Sequence, residues 1–170
     1  MPPEVARSEP AFVADEGPML DGWLDYHRAT LLQKCEGLTD DQMVQAAVAP
    51  SALTLLGLLR HMTLVEWWWF EHVFAAGPTP EPYANEADPD ADFNDLVPES
   101  AEQARVEFVR QCEHSRALVA AAPSLNVLTQ SPDRTTRQLR WVMVHMIEEY
   151  ARHNGHADLL RERIDGAVGE

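Results

Sequence analysis

Three residues near the end of the chain, Glu149, His153 and His156, have side chains that can bind a metal ion or transfer a proton. They lie in residues 139–164, where apolar residues recur at intervals of three and four and predict an α-helix. Glu149 and His153 are one turn apart and fall on or inside the apolar stripe of this helix. A divalent metal ion is a suitable partner for a carboxylate and an imidazole about 6 Å apart on a buried face.

A third ligand for such an ion is available from another predicted helix, residues 51–76, where His61 lies among apolar side chains. A histidine in this setting is, taken alone, more often a hydrogen-bonded core residue. Together with Glu149 and His153, it completes a three-ligand set suited to zinc or another first-row divalent ion, with the fourth position open.

Two alternatives to this ligand set remain open at the sequence level. His145 and His156 occupy neighbouring positions of the same helix face and could substitute as ligands, although they lie nearer its charged edge, beside Arg152 and Arg163. The polar cluster could also be an internal hydrogen-bond network without metal.

The elements that must position these residues are four predicted helices. The first covers residues 19–36 and ends at Gly37, and the second begins after Ser51 as its N-cap. Capping-box patterns at Ser100 and Thr135 predict the starts of the third and fourth helices, and Gly166 ends the fourth. The pattern predicts an all-α, antiparallel four-helix bundle with a flexible arm at residues 1–17 and a single domain at residues 18–166.

Residues 78–99 interrupt this helical pattern with five prolines and seven acidic residues. We expect a long acidic loop between the second and third helices, which either forms a lid or wall of the site or is simply a solvated connection. In the second helix, Trp67, Trp68 and Trp69 are consecutive and cannot all face one core. At least one of these rings should meet a loop, a ligand or a second subunit.

Composition and charge exclude several classes of partner. The 170 residues carry a formal net charge of −15, which argues against binding to nucleic acid or anionic lipid. No apolar run approaches the roughly 20 residues of a membrane span, and the first residues lack the pattern of a secretion signal, so a cytoplasmic location is expected. Cys35 and Cys112 lack metal-motif spacing and are expected to be reduced core residues.

Two segments carry a resemblance to a known family. LLGLLRHMTLVEWWWFEHVFAAG, from Leu55, and WVMVHMIEEYARHNGHADLLRERIDG, from Trp141, resemble the DinB superfamily of four-helix-bundle metalloproteins. The match is closest to the DUF664 branch, which is related to mycothiol-dependent transferases and maleylpyruvate isomerase. The resemblance implies that the metal ligands are His61, Glu149 and His153. Many members have histidine at the position of Glu149, but the carboxylate variant is known from the isomerase branch.

The resemblance further implies a metal-dependent transferase or isomerase that uses a low-molecular-weight thiol of the mycothiol type on a small electrophile. Zinc is the expected metal, with nickel as the alternative. A metal ion with an open position can hold the thiol as its nucleophilic thiolate. His156, which stands where many members have glutamine, is a candidate general base, and Arg152 a candidate for binding a substrate carboxylate.

Two other functions are compatible with the same residues. The first is a metal-dependent hydrolase in which bound water attacks the substrate. The second is a non-enzymatic metal-binding protein whose Trp-rich helix forms an interface. A homodimer through the apolar surface is also expected.

Overall fold

The computed structural model describes residues 6–78, 80–83, 88–94, 96–130 and 135–169, and in these residues the fold is all-helical without a strand. The α-helices are α1 (Glu16–Lys34), α2 (Asp40–Met43), α3 (Leu55–Glu66), α4 (Ala101–Ala121) and α5 (Leu139–Asp165). A π-helical segment, Trp67–Ala75, directly continues α3, and a 3-10 turn, Pro98–Ser100, precedes α4. The predicted all-α class is confirmed. None of the described helices combines the length and apolar character needed to cross a membrane.

The four long helices pack around one apolar core. α5 lies against α1 and also contacts α3, while α3 and its π-helical continuation lie against α4. The predicted apolar stripe of α5 is confirmed, since five of its members are almost inaccessible to solvent: Leu139, Val142, Met146, Ala157 and Leu160. Burial of each large side chain contributes about 2 kcal/mol. This packing fixes which face of α5 is presented to α3.

Some of the helix starts differ from those predicted. α3 begins at Leu55 because the Thr54 hydroxyl accepts a hydrogen bond from the Gly57 N–H at 2.9 Å, whereas Ser51 instead accepts one from Leu53 N. The short helix α2 was not predicted. Its N-cap Thr39 forms a reciprocal capping box with Gln42, within a connection that has little apolar periodicity.

Neither predicted capping box forms, although Ser100 is, as predicted, the N-cap residue of α4, while Thr135 is not that of α5. Ser100 belongs to the 3-10 turn, and its hydroxyl donates to the Val97 carbonyl at 2.7 Å. α5 starts at Leu139 because the preceding chain pairs in an extended conformation, with an isolated bridge between Leu128 and Gln138. The C-terminal end of α5 is as predicted, since Gly166 adopts a φ of 84° that favours glycine.

The π-helical segment decides where the three consecutive tryptophans lie. Trp67 is buried, Trp68 is 41% exposed, and Trp69 is partly buried, which confirms that the three rings do not share one core. In a π-helix, each backbone hydrogen bond joins two residues that are five apart in sequence, and this places their side chains near each other. His72 accordingly packs on Trp67, with ring centroids 5.1 Å apart, and stacks on Trp68 at 4.7 Å.

The described part of the N-terminal arm contacts α1. Pro10 is buried and lies close to Gly22, where an added Cβ would be 3.3 Å from the proline Cβ. The Arg7 guanidinium lies 4.7 Å from the centroid of the Tyr26 ring. α1 begins at Glu16, and the division of the chain at residue 18 stays a prediction.

Candidate metal centre

His61 projects from the middle of α3, and a carboxylate of the acidic loop binds it. The distance from His61 Nδ1 to Asp92 Oδ2 is 2.6 Å, and the Asp92 side chain is 4% exposed. An imidazole that donates its Nδ1–H to a carboxylate keeps Nε2 as its lone-pair nitrogen. Asp92 therefore fixes the tautomer in which His61 can bind a metal ion through Nε2.

A tight turn holds Asp92 in place. The Phe93 N–H donates to the Asp90 carbonyl at 2.9 Å, and the Arg60 guanidinium donates to the Ala91 carbonyl at 2.6 Å. The Phe93 ring packs on His61, with centroids 4.8 Å apart. It also approaches α3 so closely that a Cβ at Gly57 would lie 2.9 Å from its Cδ1. Because glycine has no side chain, Gly57 leaves the space that Phe93 needs to pack on His61.

His153 faces His61 from α5, and Glu149 lies next to His153 on the same helix. The rings of His61 and His153 meet edge to face with centroids 4.8 Å apart, and His153 Nε2 lies 3.5 Å from Glu149 Oε2. Both side chains are largely buried, at 19% and 14% exposure for Glu149 and His153. We refer to His61, Asp92, Glu149 and His153 as the histidine cluster.

Burial lowers the pKa of His153 from 6.5 to about 4, assisted by repulsion from the nearby His61, His156 and Arg152. The imidazole is therefore neutral at pH 7, which is the state that binds metal ions. His153 Nδ1 is buried and has no hydrogen-bond partner among the described residues. Such an atom is costly in a closed interior unless a water molecule or an ion satisfies it.

The structure does not bring the predicted ligands into one compact set. His153 contacts both His61 and Glu149, but within the described ranges no hydrogen bond or ion pair joins His61 to Glu149. Instead, Glu149, His145 and Glu148 offer potential ligand atoms that all lie within 4.8 Å of one another. Glu149 stands between two histidines, with Oε1 3.3 Å from His145 Nε2 and Oε2 facing His153.

His145, one of the alternative ligands, is held by aromatic rings. It stacks on Trp141 with centroids 4.9 Å apart and meets Trp69 edge to face at 4.5 Å. Its second ring nitrogen, Nδ1, lies 3.5 Å from Glu148. His145 is therefore well placed to orient Glu149 from the side opposite His153.

His156 and Arg152 have different surroundings. The His156 ring is half-buried and lies 5.5 Å from the His153 ring, and its Nδ1 is buried without a hydrogen-bond partner in the described part of the chain. The Arg152 side chain is 60% exposed and forms an ion pair with Glu148. The predicted roles of His156 in proton transfer and of Arg152 in substrate binding stay predictions.

A second polar group, deeper in the core, was not predicted from the sequence. Arg28 donates to both carboxylate oxygens of Glu66, at 2.7 and 3.0 Å, and the Tyr150 hydroxyl donates to Glu66 Oε1 at 2.7 Å. The Cys112 thiol lies 3.8 Å from the Tyr150 hydroxyl oxygen. We refer to Arg28, Glu66, Cys112 and Tyr150 as the core network. It ties α1, α3, α4 and α5 together at one level.

Both cysteines are free and buried. Burial raises the pKa of the Cys35 thiol to about 11 and raises that of Cys112 further. A thiol that stays protonated at neutral pH is a poor nucleophile. Neither cysteine is therefore suited to act as a nucleophile near neutral pH.

The likeness to known proteins agrees with this arrangement. The family model described as mycothiol S-transferase matches residues 19–166, which include every member of the histidine cluster. No curated protein matches the chain. The family indicates a transferase activity that involves mycothiol, a small-molecule substrate and a metal site of the DinB type. With nearly all of its described helices inside the match, the chain belongs to the mycothiol S-transferase family.

Proposed function

We propose that the protein transfers mycothiol, or a closely similar thiol, to a small electrophile, and that it uses a divalent metal ion bound by His61, Glu149 and His153. The observation that carries this proposal is the contact between His61 and Asp92. A buried carboxylate 2.6 Å from Nδ1 leaves Nε2 free as a ligand atom next to His153. Carboxylate-bound histidines of this kind are the usual arrangement around protein metal ions.

The residues present fit a first-row divalent ion. Two neutral imidazoles and one carboxylate are a common ligand set for zinc in sites that keep a position open, and nickel is the alternative. The buried, unpartnered Nδ1 of His153 supports this fit, because the polar groups here are not satisfied by the protein alone. His61 and Glu149 would have to approach one ion from either side of His153, which already contacts both.

Each residue has a distinct role in this proposal. A metal ion at this position would lower the pKa of a bound thiol and favour the thiolate near neutral pH. Asp92 orients His61, and His145 orients Glu149 through the 3.3 Å contact with Oε1. Burial keeps His153 neutral and limits the access of water. His156 is the proposed proton-transfer group, and Arg152 is proposed to attract an anionic portion of the thiol or substrate.

The finer features of the molecule belong to the same proposal. We propose that the four long helices form an antiparallel bundle of the DinB type, that the protein is cytoplasmic, and that it does not bind nucleic acid. Trp68, Trp141 and Val144 are exposed apolar side chains that would suit a homodimer interface. Light scattering coupled to gel filtration would determine the oligomeric state.

Calorimetric titration of metal-stripped protein with zinc and with nickel tests the ligand set. We expect one ion per chain, with binding lost or weakened at least a hundredfold in His61→Ala and His153→Ala. His72→Ala is the matched control, since this histidine stacks on tryptophans away from the cluster and should leave affinity unchanged. Wild-type protein that binds neither ion would refute the metal site.

The thiol is tested with the same proteins. Mycothiol should bind to the zinc form and not to the metal-free form, and conjugation of an electrophile should require both. Turnover of the electrophile by the zinc form without any thiol would instead indicate a hydrolase. Metal binding with no turnover of any kind would favour the non-enzymatic alternative.

A further inference from the structure

A pocket lies between α4, the start of the π-helical segment and the acidic loop, and its volume is about 360 Å³. Its apolar walls are Trp67, Pro80, Pro82 and Tyr83. Thr63 also lines the pocket and is about 200° around the axis of α3 from His61. The pocket is therefore on the other side of α3 from the histidine cluster. Within the described part of the chain, its lining includes no member of that cluster.

Tyr83 is held as a wall of this pocket by contacts at its ring and at its hydroxyl. The hydroxyl donates a hydrogen bond to Glu107 on α4, and the Arg60 guanidinium lies 4.6 Å from the centroid of the ring. The φ of Tyr83 is 66°, in the left-handed region that a residue with a bulky side chain rarely adopts. Such a conformation persists only where the surrounding contacts impose it, and it is frequent in segments that hold a ligand. The aromatic wall is thus already formed in the empty pocket.

Positive charge exceeds negative charge around this pocket. Arg110 lines it and forms no hydrogen bond or ion pair among the described residues. Glu107, the acidic residue of the lining, already accepts hydrogen bonds from Tyr83 and, at 2.9 Å, from the Gln103 amide. Burial and the bond to Glu107 raise the pKa of Tyr83, while Arg60 and Arg110 oppose this shift, so both guanidinium charges act at the aromatic wall. The local field therefore favours an anionic group, although the whole chain is acidic.

The size and the lining of the pocket together describe its ligand. A cavity of about 150 Å³ with apolar walls accommodates benzene, so a volume of about 360 Å³ has room for two fused rings. Pockets of this size with apolar walls and a few polar groups are the usual form of small-molecule sites. A guanidinium pairs with a carboxylate through two parallel hydrogen bonds. Because Arg110 is exposed, the carboxylate would lie at the mouth of the pocket and the rings inside it.

We propose that this pocket is a second binding site, which takes a small aromatic carboxylate. The rings of the ligand lie against Trp67 and Tyr83, and its carboxylate pairs with Arg110. This inference goes beyond the proposed transfer reaction, since it requires neither metal nor thiol. It assigns a binding role to the part of the acidic loop that does not contact His61.

Occupation of the pocket has a consequence for the loop segment at His61. Arg60 packs on Tyr83 and also donates to the Ala91 carbonyl at 2.6 Å. Ala91 precedes Asp92, which binds His61. Local opening of a loop becomes rarer when a ligand fixes the side chains that hold it closed. A ligand that fixes Tyr83 therefore stabilises the turn that carries Asp92.

Calorimetric titration of the metal-free protein with naphthoate tests the site, with uncharged naphthamide as the analogue of similar shape. We expect one naphthoate per chain, a shift of the Trp67 indole N–H signal in NMR spectra, and at least tenfold weaker binding of naphthamide. Arg110→Gln should weaken naphthoate at least tenfold and leave naphthamide unchanged. Arg163→Gln is the matched control, because this arginine is exposed on α5 and does not line the pocket.

Hydrogen exchange of the backbone amides of Phe93 and Asn94, which donate to the Asp90 carbonyl, tests the effect on the loop. Saturating naphthoate should slow both amides at least threefold in the wild type, and Arg60→Met should abolish the slowing. Equal binding of naphthoate and naphthamide, equal losses in the two arginine variants, or an unshifted Trp67 signal would overturn the binding site. Binding without slower exchange would uphold the site and refute its effect on the loop. Failure of the transferase function would change none of these results, since the protein is free of metal and thiol throughout.

Discussion

The core network and the histidine cluster are two groups of polar side chains held by the same helices, and they are satisfied to very different degrees. In the core network, Glu66 receives hydrogen bonds from both Arg28 and Tyr150, and all three residues are almost inaccessible. In the histidine cluster, His153 and the adjoining His156 each keep a buried nitrogen without a partner. Buried polar groups that are fully paired stabilise a fold, whereas an unpaired buried atom can be satisfied by a water molecule, an ion or another ligand.

The largest expected effect comes from breaking the core network. Glu66→Ala should lower the free energy of unfolding by about 3–5 kcal/mol, because it leaves the Arg28 guanidinium buried without a counterion. Glu149→Ala, in the histidine cluster, should cost the metal-free protein less than about 1 kcal/mol. Urea denaturation of both variants measures the difference. Equal losses would contradict the distinction between the two groups.

A double variant sharpens this test. Replacing the ion pair with apolar residues in Glu66→Leu with Arg28→Met should recover most of the stability lost in Glu66→Ala, since no charge is left unpaired. A double variant as unstable as the single one would mean that packing, and not charge pairing, dominates at this position.

An intermediate effect is expected at the carboxylate behind His61. Asp92→Asn should weaken zinc binding about 10- to 100-fold, because an amide stabilises the required tautomer of His61 less well than a carboxylate. Calorimetric titration measures the affinity. Asp90→Asn lies in the same turn with an exposed side chain and should bind zinc like the wild type. Equal losses in the two variants would show that the charge of the loop matters and not the contact with His61.

The smallest expected effect is a pH dependence from His153. Its pKa is about 4 in the folded protein and 6.5 as a free side chain, so between these values the unfolded chain binds a proton that the folded protein does not. The contribution of His153 is therefore complete above pH 6.5 and is lost as the pH falls toward 4. Allowing for screening of the partly exposed ring, the loss is about 1–2 kcal/mol.

Denaturation of the metal-free protein at several pH values measures this dependence. His153→Gln has no titrating group at this position and should lose less stability over the same interval than the wild type. Identical curves for the two proteins would place the acid sensitivity elsewhere, for instance in the carboxylates of other ion pairs.

Features that depend on residues close together in sequence were predicted, whereas contacts between residues far apart in sequence were not. The helical character of α5 and the spacing of Glu149 and His153 follow from a local period of 3.6 residues, and they were predicted correctly as structure. The partnership of His61 with Asp92 joins residues 31 apart, and that of Arg28 with Glu66 joins residues 38 apart. No local periodicity indicates such pairs, because they form only when the helices pack.

The errors at helix ends have a related cause. Thr54 and Ser51 are both suitable N-cap residues, and the choice between them depends on where the connection enters the core. Likewise, the pattern from Thr135 to Gln138 is a good capping box, but the bridge between Gln138 and Leu128 holds this part of the chain in an extended conformation. Long-range pairing overrode a favourable local motif at that point.

Consecutive residues of α5 belong to the two polar groups, and this has a consequence for the choice of metal ion. Tyr150 is bonded to Glu66 in the core, and Glu149, its neighbour in sequence, contacts His153 and His145. The hydrogen bond from Tyr150 to Glu66 therefore restricts the rotation of α5 about its own axis. In the proposed metal site, a helix with restricted rotation would hold Glu149 and His153 at a set separation from α3, and such a site would discriminate between ions by their preferred coordination geometry. The ion selectivity of the proposed site would then depend on Tyr150, a residue that does not itself bind the ion.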